Sequence, residues 1–176
     1  LLEDAGWKLG ADGVREKNMK TNTVRLMLDM VVPDIPFLTK TAAILKADWA
    51  AIGVTANIQT VPIEDVLSDT VKNRDFQAVL FGNTLNLTSD LFSFWHSSER
   101  FSPGLNLSLY NNRDVDNLIE AIRQNFDEEK KKAQFKELQE EITSDYPVVF
   151  LYTPAQLYLT NKQLRGVLGG AIAEPA

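Results

Sequence analysis

Titratable side chains that could support catalysis are few, and most of them lie close together near position 96. His96 is the single histidine among the 176 residues, so a metal site built on several imidazoles is impossible. A Ser-His-Asp triad would need this histidine. Ser97, Ser98 and Glu99 follow it directly. Because neighbours in sequence form a triad only when the fold brings their side chains together, the plainer interpretation is a histidine at a helix end or hydrogen-bonded near a loop.

Two carboxyl groups, Asp90 and Glu99, flank Trp95, and a glycosidase could use such a pair. Nothing in the sequence fixes the distance between them. Asp90 also suits the N-cap of the short apolar turn that follows it, with Ser89 as the competing cap. We therefore expect capping at Asp90, and a hydrolase of esterase or glycosidase type that uses His96 or the carboxyl pair stands as the alternative hypothesis.

Amide and aromatic side chains form a second candidate site, in the loop that follows the apolar run 76–81. This run predicts a buried strand, and small molecules bind beyond the carboxyl ends of strands in open α/β sheets. Asn83, Asn86 and Asn106 can each donate and accept hydrogen bonds, and Trp95 supplies flat apolar area. The loop thus indicates recognition more than reaction, although a surface loop whose Trp95 packs back on the core fits the same composition.

Composition narrows the class of protein. The net charge of −6 includes no basic cluster, which argues against nucleic acid and anionic membranes as partners. The absence of cysteine excludes disulfides, thiolate metal sites and cysteine nucleophiles, and it suits an exported bacterial protein. No apolar run approaches the roughly 18 residues of a membrane span, and no glycine-rich phosphate loop is present, so we expect no bound cofactor.

Periodicity in the first half predicts alternating strands and helices. The predicted order is a helix tail over 1–7, a tight turn over 11–14, a strand over 24–32, a helix with one apolar stripe over 36–52, a strand over 54–60, a short helix from Pro62 and a strand over 76–81. This order indicates a βαβαβ unit with parallel pairing and right-handed crossovers. We expect 76–81 to be the central strand, buried on both faces, because Gln77 alone interrupts its apolar character.

The second half predicts two amphipathic helices and two strands. Asn112 should cap a helix over about 113–126, whose buried side chains would be Val115, Leu118, Ile122 and Phe126. A second helix should begin near Asp127, bury Phe135, Leu138 and Ile142, and stop before Pro147. The segments "VVFLY" (148–152) and "QLYLT" (156–160) are predicted strands.

Six segments in order resemble a known family. They are "LLEDAGWK", "DGV", "LKADWAAIGVTANIQ", "RDFQAVLFG", "LYNNRDVDNLIEAIR" and "DYPVVFLY". Together they resemble the carboxy-terminal part of family 5 extracellular solute-binding proteins, the dipeptide, oligopeptide and nickel receptors of ABC importers. The resemblance implies an α/β fold, a type II periplasmic-binding-protein lobe with a mixed, mostly parallel sheet and helices on both faces. Residues 1–176 would form a single lobe, truncated at both ends, of a two-lobed receptor roughly three times this length that closes by hinge motion.

The same resemblance implies a function without catalysis. The protein would capture a peptide-like or other small polar solute for an ABC importer, with the transporter permease and the second lobe of the same protein as partners. It would act in the periplasm or outside the cell, with a lipid anchor on the outer face of the cytoplasmic membrane as one option.

The resemblance to this family also indicates which residues would bind the solute. Asn83, Thr84 and Asn86 would hydrogen-bond the solute, Trp95 would line or support the pocket, and Asn106 would stand nearby. Peptide-binding members commonly carry a Trp and, three residues later, an Asp that pairs with the α-amino group of the peptide. The matching positions here are Asn83 and Asn86. Because Asn86 is neutral, a free peptide amine should not be anchored in that way, which favours a neutral or differently oriented ligand.

Overall fold

The computed structural model describes residues 1–83 and 90–154, together with residues 159, 161 and 163. The chain divides into two compact units, an amino-terminal unit Leu1–Asn83 and a carboxy-terminal unit Thr84–Ala176. The amino-terminal unit combines strands and helices, and the described part of the carboxy-terminal unit is helical. The chain is thus of the α/β class. None of the helices in the described part has the length and apolar character to cross a membrane.

A small antiparallel sheet opens the amino-terminal unit. Its strands are β1 (Lys8–Leu9), β2 (Arg15–Asn18) and β3 (Thr23–Arg25), in that spatial order. The predicted tight turn joins β1 to β2, with Gly13 at a φ of 82°. The strands on either side of this turn are too short to show a period, which is why the sequence did not predict them. Residues 2–6 form consecutive turns, where the sequence predicted a helix tail over 1–7.

A parallel sheet forms the rest of the amino-terminal unit and confirms the predicted βαβαβ order. The elements are β4 (Met27–Pro33), α1 (Pro36–Ala51), β5 (Thr55–Val61), α2 (Ile63–Asp65) continued by a π-helical turn (Val66–Val71), and β6 (Ala78–Val79). The spatial order is β5-β4-β6, and both pairings of β4 are parallel. The single strand predicted over 24–32 is two strands, since the chain leaves the first sheet and enters the second at Leu26.

The core of the amino-terminal unit lies between α1 and the parallel sheet. Its buried members are Met30, Val32, Leu38, Ala42 and Leu80. The predicted stripe of α1 is therefore confirmed at Leu38 and Ala42, whereas Ile52 at its end is 48% exposed. Full burial of an aliphatic side chain contributes about 1.5–3 kcal/mol, so this cluster is a main source of stability in the unit.

Gly53 ends α1 in a conformation that excludes side chains. Its φ is 83°, in the left-handed region that favours glycine. A Cβ atom here would lie 2.9 Å from both Arg15 Cγ and Leu9 Cδ1, side chains of the antiparallel sheet. The Arg15 amide also donates to the Gly53 carbonyl at 2.7 Å. Gly53 is therefore where the helix end and the hairpin β1–β2 are packed together.

The prediction that 76–81 is the central strand is wrong. β4 is central, and β6 is a two-residue strand at the edge of the described sheet, with Ala78 and Val79 half-buried. A side chain takes the place of one backbone hydrogen-bond acceptor beside β4, because Gln77 Oε1 accepts a hydrogen bond from the Asp29 amide at 2.7 Å. The apolar character of a segment does not reveal its position in the sheet, because an edge strand is also apolar when other elements cover it.

Helices pack against one another in the carboxy-terminal unit. They are α3 (Phe92–Trp95), a 3₁₀ turn (Ser97–Glu99), α4 (Arg113–Gln124) and α5 (Glu128–Asp145). The buried core comprises Tyr110, Val115, Ile119, Ile122, Leu138 and Ile142, with Leu118 and Phe135 partly buried against it. The predicted cap at Asn112 is confirmed, and α5 begins beside Asp127, as predicted, with Asp127 as its cap. Asn112 Oδ1 accepts from the Asp114 amide at 2.9 Å, and Asp127 Oδ1 accepts from the Glu129 amide at 3.1 Å.

Two predictions for this unit are wrong. Phe126 is 93% exposed, because α4 ends at Gln124 and the following chain turns this ring away from the buried face. The segment 148–152 is not a strand, and Val149 is 80% exposed. An extended apolar segment becomes a strand only when it pairs with a neighbouring strand, and 148–152 is not paired with any of the described strands. The predicted strand 156–160 lies, apart from Leu159, outside the described residues.

Candidate solute-binding site

The carboxyl ends of the three parallel strands define one edge of the sheet in the amino-terminal unit. β4 ends at Pro33, β5 at Val61 and β6 at Val79. Three residues separate the end of β6 from Asn83. Asn83 is exposed. The structure therefore places this predicted site residue on the surface, just beyond the carboxyl end of β6, where ligands of open α/β sheets bind. Thr84 and Asn86 lie outside the described residues.

Trp95, at the end of α3, packs within the carboxy-terminal unit. Its ring stands edge-on to Tyr110, with centroids 6.2 Å apart and an interplanar angle of 87°. The Phe150 ring lies 5.9 Å away on a tilt. Trp95 is half-buried, so part of the indole remains accessible. The structure shows the supporting contacts of Trp95, and its contact with a solute stays a prediction.

Asn106 is enclosed completely, with 0% exposure. Its Nδ2 lies within hydrogen-bond distance of the carbonyl oxygens of Trp95 (3.3 Å), His96 (3.2 Å) and Tyr110 (2.9 Å). Its Oδ1 accepts from the Tyr110 amide at 3.0 Å and from Ser108 Oγ at 3.3 Å. Both ends of the amide are thus engaged by the protein itself. A solute contact by Asn106 stays a prediction, and such a contact would compete with these bonds.

A phenol–carboxylate–amide network, which the sequence analysis missed, ties α5 to the start of α4. Tyr110 Oη donates to Asp145 Oδ2 at 2.6 Å, and Asn112 Nδ2 donates to the same oxygen at 2.9 Å. Burial, followed by the bond to Asp145, raises the pKa of Tyr110 to about 12. The Tyr110 bond, followed by that from Asn112, lowers the pKa of Asp145. No sequence signal links residues 35 positions apart.

The His96 ring contacts a hydroxyl group and a carboxylate, the partners that a catalytic histidine would need. Nδ1 lies 2.9 Å from Ser98 Oγ, and Nε2 lies 3.4 Å from Glu120 Oε1. The same Nδ1 accepts a hydrogen bond from the Ser98 amide at 3.2 Å and so caps the 3₁₀ turn. Its ring stacks on Phe92 with centroids 4.1 Å apart. The expectation of a histidine at a helix end is confirmed.

Asp90 is committed to structure as well. Its Oδ1 accepts from the amide of Phe92, the first residue of α3, at 3.1 Å, which confirms the expected capping role. Its Oδ2 lies 3.5 Å from Arg123 Nη2, and the Arg123 guanidinium lies 4.5 Å from the Phe92 ring centroid. The carboxylate of the hypothetical glycosidase pair is therefore a helix cap and half of an ion pair.

A metal site is absent from the part of the chain that the structure describes, since no three His, Cys, Asp or Glu side chains there are arranged to hold an ion. The arrangement that remains is a parallel sheet with an exposed amide beyond its carboxyl edge, and a helical unit with a half-exposed, well-supported indole. The chain is therefore of the α/β class, in which the carboxyl edge of a parallel sheet is the usual place for a ligand.

The comparisons with known proteins specify that class. The family model described as bacterial extracellular solute-binding proteins, family 5 middle, matches residues 1–102, and the chain belongs to this family. The oligopeptide-binding protein AppA of Bacillus subtilis is 26% identical over 171 residues, which cover 94% of this chain and 30% of the relative. The chain thus spans about a third of the length of this relative.

Solved structures share the fold. AppA from Bacillus subtilis in complex with a nonapeptide matches with a TM-score of 0.72 and 23% identity, over 83% of this chain and 29% of that chain. The oligopeptide-binding protein from Thermus thermophilus in complex with a pentapeptide matches with a TM-score of 0.73 and 22% identity, over 83% of this chain and 27% of that chain. NikZ from Campylobacter jejuni in complex with Ni(L-His) matches with a TM-score of 0.68 and 22% identity, over 83% of this chain and 29% of that chain. This likeness confirms the type II periplasmic-binding-protein fold.

Proposed function

We propose that this protein is the solute-binding component of an ABC importer and that it captures an oligopeptide or a similar polar solute. The observation that carries the proposal is Asn83, an exposed amide beyond the carboxyl end of β6 in a chain of solute-binding family 5. Two similar proteins, those of Bacillus subtilis and Thermus thermophilus, are named for oligopeptide binding, which supports a peptide-like solute for this chain.

The side chains assigned to the solute are uncharged. Asn83, Thr84 and Asn86 offer amide and hydroxyl groups that match the alternating donors and acceptors of a peptide backbone. A carboxylate at position 86 would be the partner of a free amine, and Asn86 supplies none. We therefore propose that the protein holds its solute by neutral hydrogen bonds and does not select for a free amino terminus, with Trp95 lining or supporting the pocket and Asn106 nearby.

The proposal extends to the complete protein. Residues 1–176 contribute a single lobe, and the rest of a longer chain supplies the opposite wall of the site. The protein delivers its solute to a membrane permease from the periplasm or the cell exterior, where a lipid anchor would keep it near the transporter. It performs no catalysis and needs no cofactor. The family assignment supports this role, and the use of His96 and Asp90 in local structure agrees with it.

Thermal denaturation of the complete gene product tests the proposal. The probes are a mixed-sequence nonapeptide pool, the same pool acetylated at its amino termini, and Ni²⁺ with L-histidine. At 100 times the dissociation constant a ligand stabilises by about 2.7 kcal/mol, which raises the melting temperature measurably. We expect both peptide pools to stabilise the protein to a similar extent.

Three outcomes would contradict the proposal. Stabilisation by the nickel complex alone would assign a metal-chelate solute. Stabilisation by the free-amine pool alone would show that an amine partner exists elsewhere in the site. Turnover of an ester or glycoside panel, without ligand-dependent stabilisation, would favour the hydrolase alternative.

A further inference from the structure

Three consecutive residues, Trp95, His96 and Ser97, are held from two sides. On one side the enclosed Asn106 amide contacts the carbonyl oxygens of Trp95 and His96 at 3.3 and 3.2 Å. On the other side Asp116 of α4 accepts two hydrogen bonds from Ser97, one from the amide at 2.8 Å and one from Oγ at 2.5 Å. The main chain on the carboxyl side of the Trp95 ring is therefore held at two successive peptide groups, the first through its carbonyl oxygen and the second through both its carbonyl oxygen and its amide.

Asn106 also fixes the partner of the indole. The same Nδ2 donates to the Tyr110 carbonyl at 2.9 Å, and Oδ1 accepts from the Tyr110 amide at 3.0 Å. Tyr110 is the ring against which Trp95 stands edge-on. One buried side chain thus bonds the main chain of both aromatic residues, and it sets their relative position more tightly than ring packing alone would.

Asp116 adds a charged acceptor that is largely shielded from water. Its side chain is 17% exposed, and hydrogen bonds to a carboxylate are about twice as strong as those between neutral groups. The His96 ring, 12% exposed, contributes a nearby contact through Nε2, 4.0 Å from Asp116 Oδ1. The end of α3 is therefore attached to α4 at a defined position on that helix.

We propose that Asn106 and Asp116 are positioning residues of the solute site, which fix the Trp95 indole without touching the solute. The inference rests on the proposed function in one respect, that Trp95 meets the solute. It assigns Asn106 a different role from direct contact, because both ends of its amide are already bonded. It also assigns a role to Asp116, which lies in the first turn of α4.

A spectroscopic test needs no ligand. In the complete protein carrying Trp7→Phe and Trp49→Phe, and with every tryptophan outside residues 1–176 also replaced by Phe, Trp95 is the single tryptophan reporter. We expect Asp116→Ala to shift the Trp95 emission to longer wavelength and to increase its quenching by acrylamide. Asp116→Asn keeps an acceptor for the Ser97 amide and should restore both properties. The control Asp114→Ala removes the same charge from an exposed position of α4 and should change neither. Unchanged emission in Asp116→Ala would overturn the proposal.

A binding test separates positioning from general stability. The probe is the nonapeptide pool, and the variants are Asp116→Ala, Asn106→Ala, Trp95→Ala and the double variant of Asp116 and Trp95. We expect the first three to weaken binding by about tenfold each, and the double variant to bind no more weakly than Trp95→Ala, because the effect passes through the indole. Asp116→Asn should bind within about twofold of the natural protein.

The possible failures are distinguishable. Additive losses in the double variant, or unchanged binding in Asp116→Ala beside a clear loss in Trp95→Ala, would overturn the positioning role and leave the proposed function standing. Unchanged binding in Trp95→Ala would remove the indole from the site and overturn this inference with it. If no probe stabilises the natural protein, the proposed function fails, and the emission test, extended to Asn106→Ala, then decides whether Asn106 and Asp116 position Trp95.

Discussion

At the scale of single residues, a phenol, a carboxylate and an amide meet where α4 begins and α5 ends. Tyr110 and Asn112 both donate to Asp145 Oδ2. The native state keeps the phenol protonated to unusually high pH, since the pKa of Tyr110 is raised to about 12. In the unfolded chain the phenol would titrate at its ordinary value of 10.0. Between these two values the unfolded state binds fewer protons than the native state, so stability must fall as the pH rises.

This argument predicts an alkaline effect specific to Tyr110. Across pH 10 to 12 we expect the natural protein to lose more stability than Tyr110→Phe, because phenylalanine has no proton to hold. Ultraviolet titration of tyrosinate should also show a late-titrating phenol that Tyr110→Phe removes. Tyr146→Phe is the control, since Tyr146 is 84% exposed. Equal pH dependence in Tyr110→Phe and the natural protein would contradict the prediction.

Asparagines show what the sequence could and could not predict at this scale. Asn112 was predicted correctly as a cap, because capping depends on the few residues that follow it. Asn83 and Asn106 look alike in sequence, yet one is exposed and the other has 0% exposure. Burial of Asn106 depends on contacts with Trp95 and Tyr110, whose approach is set by tertiary packing. A single-sequence pattern contains no signal for that packing.

At the scale of elements, helix predictions succeeded where the helix is long, amphipathic and capped by its own sequence. α4 begins at its predicted cap Asn112, α5 begins next to Asp127 as predicted, and α5 buries Leu138 and Ile142 as expected. The strand prediction over 54–60 is confirmed by β5, whereas two other strand predictions failed because pairing decided the outcome. The apolar run at 76–81 lies at a sheet edge, and 148–152 pairs with no described strand. Strands depend on a neighbouring chain for their hydrogen bonds, and the sequence of one segment does not name that neighbour.

The cap of α4 gives an element-scale prediction. Asn112→Ala should lower the free energy of unfolding by about 1 kcal/mol, because two amides of the first turn lose their acceptor. Asn112→Ser keeps a capping oxygen but, like Asn112→Ala, loses the Nδ2 bond to Asp145, so it should cost less than Asn112→Ala by the contribution of the cap alone. The neighbouring, exposed Asn111→Ala is the matched control, and urea denaturation is the measurement. A cost for Asn111→Ala equal to that for Asn112→Ala would show that the cap is not the cause.

At the scale of the whole molecule, the comparison of lengths matters for affinity. The chain corresponds to about 30% of the Bacillus subtilis relative, so residues 1–176 should contribute part of the contacts to a solute. Each lost hydrogen bond removes roughly 1 kcal/mol, and several losses weaken binding by orders of magnitude. We therefore predict that the polypeptide 1–176 binds the nonapeptide pool at least about 100-fold more weakly than the complete gene product. Calorimetry on both polypeptides is the measurement, and equal affinities would place the whole site within these residues.

Open space beside Asn83 makes the protein suitable for chemical labelling. No described atom lies within 4 Å of a Cβ placed at Gly82, whereas a side chain at Gly53 would strike the hairpin. The chain contains no cysteine, so Gly82→Cys would introduce the single thiol of these 176 residues at the edge of the proposed site. Under the proposed function, an environment-sensitive dye attached there would change its fluorescence when the nonapeptide pool binds, so that binding could be followed optically without a label on the solute.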